Sequence, residues 1–159
     1  MALPDGALSS CTLCVQLSTD GTTWTDFSDW VTVLEPPEIT RMSGEAYVYG
    51  EDVAVVTGGK REPIEVPIRG VYEDATATSD PFVYLWNVMT TSCGGRCHIR
   101  WAPAGCTTTS QVFSTATGTA DVYGELIGLT PPATPADDAS PLLWSATIKA
   151  PQLYKATYA

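Results

Sequence analysis

Positive charge is scarce in this chain. Only eight of its 159 residues are Lys or Arg, against 18 Asp or Glu, and the formal net charge is −10 at pH 7. The few cations are spread thinly, with small groups only at Lys60-Arg61 and at Arg96 and Arg100. Binding nucleic acid by counterion release needs clustered Lys and Arg, so the composition argues against it. Acidity keeps a protein soluble, and it also suits a protein whose task is to lie beside DNA without sticking. Histidine occurs once, at His98. No nucleophile elbow of the G-x-S-x-G kind accompanies it. Ser43, before Gly44, reads as a turn residue, and Cys97 would point away from His98 on a strand. His98 therefore reads as structural. No apolar run approaches the ~20 residues of a membrane span. The opening MALPDGALSS has neither the basic start nor the apolar core of a signal peptide. The expected setting is the cytosol of the producing cell, with no membrane partner. Long runs of Leu, Glu, Lys and Ala at helical spacing are also missing, which argues against a helical fold.

What is present is β chemistry. Apolar residues make up 44% and charged residues 16%, so the chain is globular. Thr, Val, Gly, Pro and aromatic residues are prominent, a balance that favours strands. The densest stretch is GEAYVYGEDVAVVTGGKREPIEVPIRGVYE, residues 44–72. It reads as two or three strands, with Gly58, Gly59, Lys60 and Arg61 as a turn between them. After that turn Ile64, Val66 and Ile68 alternate with Glu65, Pro67 and Arg69, one apolar and one polar face. Pro67 has no N–H to give a ladder, which suits an edge or a bulge. Further strands are expected over 9–17, 30–34, 39–42, 47–49, 53–57, 98–101, 111–117, 121–129 and 142–150, with a looser one over 22–29. In 142–150 Trp144, Ala146 and Ile148 share a face. The tail 151–159 carries Leu153, Tyr154 and Tyr158 and is expected to dock.

One helix is signalled. Asp80 can cap it, Pro81 suits its first position, and Phe82, Leu85, Trp86 and Met89 share one face. It should run over about 81–91 and end before Gly94-Gly95. The total is one domain over 1–159, all-β: a β-sandwich or barrel of roughly eight to ten strands with one flanking α-helix.

Chemistry-bearing clusters are few. Cys11, Cys14, Cys93 and Cys97 could hold a tetrahedral zinc, with His98 and Cys106 nearby. Against this, the two pairs lie far apart, and Cys11 and Cys14 would sit on opposite faces of a strand. A Cys93–Cys97 or Cys93–Cys106 disulfide is an alternative. Free thiols are the preferred reading, and no metal or cofactor is assigned. Five cysteines cannot all pair within one chain. The acid pairs Glu51-Asp52, Glu73-Asp74 and Asp137-Asp138 lack a calcium-loop pattern and read as solvated turns. Gly58-Gly59-Lys60 does not meet the phosphate-loop pattern. Five tryptophans could form a sugar platform but more often fill a sandwich core.

The order STDGTTWTDFSDWV, SGEAYVYGEDVAVVTGGKREPIEVPIRGVYED, SDPFVYLW, CHIRWAPAG, a Thr-rich strand pair and SATIKAPQL resembles the major tail tube proteins of long flexible-tailed bacteriophages and related prophages. The similarity covers most of the chain and is densest over GGKREPIEVPIRGVYED. It implies a tail-tube-like β domain whose extended hairpin or loop, about 43–62, contacts neighbouring subunits. It implies a non-enzymatic virion protein that forms stacked hexameric rings. The hollow tube would conduct DNA without binding it specifically. Tape measure, tail terminator and distal tail proteins would be partners. Assembly would take place in the host cytoplasm and the product would reside in the virion tail. On this reading Glu45, Glu51, Asp52, Glu62 and Glu65 are candidates for an acidic lumen, or for intersubunit pairs with Lys60, Arg61 and Arg69. The competing readings are a secreted immunoglobulin-like or carbohydrate-binding sandwich, and another phage structural protein such as a decoration protein or tail terminator.

Overall fold

The computed structural model describes residues 12–50, 52–74, 80–91, 94–116, 124–133 and 139–158. Among these residues eleven strands and one helix follow one another: β1 (Cys14–Ser18), β2 (Thr25–Asp26), β3 (Val31–Leu34), β4 (Arg41–Ala46), β5 (Val55–Arg61), β6 (Ile64–Val71), α1 (Pro81–Thr90), β7 (His98–Ala102), β8 (Gln111–Ser114), β9 (Glu125–Thr130), β10 (Leu143–Ala150) and β11 (Tyr154–Thr157). The first sheet has the order β11-β8-β7-β1-β2 and the second β3-β6-β10-β9. β4 and β5 form a third sheet alone. The fold is mostly β with one short helix, as the composition predicts. The tail docks as β11 against β8.

The core lies between the two larger sheets. Val15, Leu17, Ile99 and Trp101 enter it from the first sheet. Ile64, Val66, Ile68, Leu126, Trp144, Ala146 and Ile148 enter from the second. The alternation in β6 and β10 is the period-2 pattern of a sheet with one covered face. β6 pairs with β10 over eight residues without a break, from Leu143↔Val71 to Ala150↔Ile64. Pro67 sits in this interior strand, where the sequence suggested an edge or a bulge. A strand residue points its N and C=O to the same side. The Pro67 carbonyl accepts from the Glu35 N–H at 3.1 Å, so its missing N–H faces the chain just past the end of β3. The ladder to β10 is untouched.

Trp144 is fully buried and lies across Gly70, while its Nε1 donates to the Val71 carbonyl at 3.1 Å. A Cβ at Gly70 would collide with the Trp144 ring and come within 2.8 Å of the Trp30 carbonyl oxygen. The glycine is required by this close approach, not by a turn.

α1 begins as expected. The Asp80 carboxylate accepts from the Phe82 and Val83 N–H groups at 2.9 and 3.1 Å, and Pro81 follows it. Of the expected face, Phe82, Leu85 and Met89 meet the core and Trp86 does not. Leu85 and Pro81 are buried, Tyr84 and Val88 pack against the core beside Phe82 and Met89, and Trp86 is 48% exposed. PFVYLWNVM is apolar almost all round, so spacing alone cannot select the face. Trp86 is therefore no core residue. No helix among the described residues is long and apolar enough to cross a membrane.

The outer face of the first sheet is also covered. Register pairs Cys14 with Ala102, Gln16 with Arg100 and Ser18 with His98 on this side. The Arg100 guanidinium lies between the Trp24 and Tyr158 rings, 4.4 and 4.6 Å from their centroids, and its Nε donates to Gln16 Oε1 at 2.7 Å. His98 is buried and its Nδ1 accepts from the Gly124 N–H at 3.2 Å. Burial lowers its pKa, favouring the neutral ring.

The cysteines depart from the sequence expectation. Cys14 and Cys106 form a disulfide, with Cα atoms 5.6 Å apart. The turn after β7, closed by the Gly105 N–H donating to the Ala102 carbonyl, brings Cys106 back over β1. Cys106 is thus committed to Cys14 and not to Cys93. The proposed zinc quartet loses Cys14, and Cys11 and Cys93 lie outside the described residues. Cys97 is a free, buried thiol whose pKa burial pushes up to about 12.

Two outcomes test this packing. Gly70→Ala should lower stability in urea by about 1–3 kcal/mol, the usual cost of overpacking a core; an unchanged midpoint contradicts the Trp144 contact. Reduction should cost about 2–4 kcal/mol, because the disulfide closes a long loop of 92 residues. Cys106→Ala should be as unstable as the reduced protein and insensitive to reductant in the same denaturation assay.

Candidate functional site

The site is built by the segment between β3 and β6. Pro36 and Pro37 end β3, and the chain leaves the sandwich as β4, turns beyond Ala46, and returns as β5 from Val55. This ribbon runs antiparallel, with Glu45 opposite Val56 and Ala46 opposite Val55. Its glycines were expected to form the turn, but Gly58 and Gly59 lie inside β5. The register slips between Arg41 and Ser43, where one extra residue of β5 is accommodated. A Cβ at Gly59 would stand 3.1 Å from the Met42 carbonyl oxygen. The glycine marks a bulge. The turn contains Tyr47–Gly50 instead, with Gly50 at φ +89. Tyr47–Tyr49, expected as a strand, belongs to this tip.

Every residue of β4 and β5 is exposed. The exposed side chains include Met42, Tyr47, Val48, Tyr49, Val53, Val55 and Val56, and Tyr49 is 108% exposed. Both faces of the ribbon are bare, so it stands clear of the body. An isolated two-stranded ribbon is marginally stable in water, and a contiguous apolar patch of this kind marks an interaction surface.

The charged candidates fall into two groups. Glu45, Asp52, Lys60, Arg61 and Glu62 lie on or beside the ribbon, and Glu51 lies outside the described residues. At the ribbon's base Glu62 accepts from the Thr40 hydroxyl at 2.6 Å. Arg61 Nη1 donates to Gln152 Oε1 at 3.4 Å. Glu65 and Arg69 lie on the outer face of the second sheet. Glu65 is 3.4 Å from Lys149 Nζ and forms an ion pair with it. Lys149 is in register with Glu125, so this face carries two acids and two bases. Among the described residues no group of three or more His, Cys, Asp and Glu is placed to hold a metal.

A second surface escaped the sequence reading. Tyr72, Phe82, Val83, Trp86, Pro131, Pro132 and Leu142 line an apolar cleft of about 500 Å³. Its aromatic wall is continuous: Tyr72 meets Phe82 edge-on at 5.3 Å, and Phe82 lies 6.0 Å from Trp86. The available signals were the all-round apolarity of α1 and, for the ribbon, apolar residues at both parities in YVYGEDVAVV.

No family model matches the chain, and no curated protein matches it by sequence. Solved structures do. A chain of the anti-feeding prophage baseplate, 6-fold symmetrised, superposes with a TM-score of 0.73 at 9% identity, covering 98% of this chain and 97% of that one. The fold is tail-tube-like. A chain of the sheath-tube complex of the extracellular contractile injection system PVC, in its extended state, gives 0.67 at 13% identity, with 96% and 93% covered. A chain of the tail of the empty GTA particle, refined with C6 symmetry, gives 0.64 at 9%, with 96% and 100% covered. Two of these three are contractile systems or prophage particles by name, so the likeness does not single out long flexible tails.

The exposed ribbon should have weakly protected amides in the monomer. Hydrogen exchange over β4 and β5 should be at least tenfold faster than over β6 and β10. Equal protection in a verified monomer contradicts a free-standing ribbon.

Proposed function

We propose that this protein is a structural subunit of a tail-like particle, which polymerises through its β4–β5 ribbon into stacked rings forming a hollow tube. One observation carries the reading: a fold shared with tail-particle chains over nearly its whole length bears a bare apolar ribbon that the chain leaves uncovered. Six-fold rings are the finer form of the proposal, supported by the symmetry stated for two of the similar structures. A tube of flexible-tailed phage type is the finer form suggested by sequence resemblance.

In a closed ring, neighbouring strands satisfy each other's edges. A net charge of −10 per subunit gives the assembly a field that repels phosphates, so DNA would pass without adhering. Glu45, Asp52 and Glu62 remain candidates for the lumen. Glu65 already has Lys149, which leaves a neutral pair at that position. Lys60, Arg61 and Arg69 are candidates for pairs between subunits. The subunit would work within the virion tail beside tape measure, terminator and distal tail proteins, and it would be no enzyme.

The carbohydrate-binding alternative would use the aromatic cleft. Among its described lining residues the polar side-chain groups are the Tyr72 hydroxyl and the Trp86 indole N–H, fewer than a sugar site uses to fix a ring.

Sedimentation tests the proposal. The wild type should grow in size with concentration, while Tyr49→Asp/Val56→Asp should stay monomeric. Both side chains are exposed, so its thermal midpoint should remain within a few degrees of wild type. A double variant that assembles like the wild type contradicts the ribbon's role.

A further inference from the structure

The ribbon and the cleft occupy opposite ends of the second sheet. The ribbon joins the body beside Ile64, the first residue of β6, which pairs with the last residue of β10. The cleft is lined by Tyr72 and Leu142, immediately beyond the other end of the same ladder. Eight paired residues at ~3.4 Å each separate the two by roughly 25 Å. Because both faces of the ribbon are bare, it does not fold back along the sheet to reach its own cleft.

We infer that the ribbon tip of one copy, led by Tyr47, Val48 and Tyr49, seats in the Tyr72–Trp86–Leu142 cleft of another copy. This rests on the proposed self-assembly and names its acceptor. Three observations favour a second copy as the occupant. The two surfaces match in chemistry: an aromatic and proline-lined cleft faces a tip of two tyrosines on either side of a valine. They match in area. Two tyrosines of ~150–250 Å² each, with five further apolar side chains at least about half exposed, approach the ~800 Å² that a partner contributes to a stable interface. They also match in placement. Unlike surfaces at opposite ends make a heterologous contact, which repeats head to tail without closing on a pair.

Photo-crosslinking reads this contact directly. A benzophenone side chain replaces Tyr49 in the full chain, which is mixed with isotope-labelled wild type and irradiated at assembling concentration. The expected crosslinks join position 49 to peptides containing Trp86 or Leu142 of the differently labelled copy. Trp86→Arg/Leu142→Asp, at two half-exposed positions, should abolish those crosslinks. It should also raise the concentration needed for assembly at least tenfold, with the fold intact by circular dichroism. Particles that form with position 49 crosslinked elsewhere, or within its own chain, overturn the cleft assignment and leave the tube reading standing. The same holds if the cleft variant assembles normally. A wild type that remains monomeric with no intermolecular crosslink overturns both. Glycan binding at Trp86 without self-association does the same.

Discussion

The structure depends on the unbroken antiparallel ladder between β6 and β10. Its eight register pairs turn Ile64, Val66, Ile68, Trp144, Ala146, Ile148 and Ala150 to one side, where they meet Leu17, Ile99 and Trp101 of the facing sheet. Each large apolar side chain so buried contributes on the order of 1.5–3 kcal/mol relative to exposure. A one-residue slip would turn this whole set to solvent. The ladder also fixes direction. The ribbon leaves from one end, and the cleft opens at the other, beneath the capped start of α1. The two surfaces are therefore carried at the two ends of one ladder, an arrangement that would suit the proposed polymer subunit.

Much of this frame was legible because it obeys local rules. The alternation of β6 and β10 and the Asp80-Pro81 cap depend only on neighbours in sequence. The features that were misread depend on tertiary contact. Gly58 and Gly59 have the composition of a turn, but the second is required by the approach of Met42 across a bulge. Trp86 shares a helical face with Phe82, Leu85 and Met89, which do meet the core, and only packing shows that the cover extends toward Pro81 and Tyr84 and leaves Trp86 out. Cys14 and Cys106 are separated by 92 residues and meet because β1 and β7 pair. Spacing along the chain cannot supply that.

The ribbon was half legible for a similar reason. The sequence marked residues 43–62 as a contact region, and the structure places the β4–β5 ribbon over that range. The charged residues drew attention first, yet the apolar ones define the surface. Tyr47, Tyr49, Val55 and Val56 do not alternate with polar residues, because both faces of the ribbon lack a covering layer within the chain. In the proposed assembly, other subunits would supply that layer.

Negative-stain electron microscopy of the purified protein, concentrated at near-neutral pH, tests the central claim most directly. The account predicts stacked rings or hollow rods with a pore wide enough for duplex DNA. Discrete monomers at every concentration would contradict it.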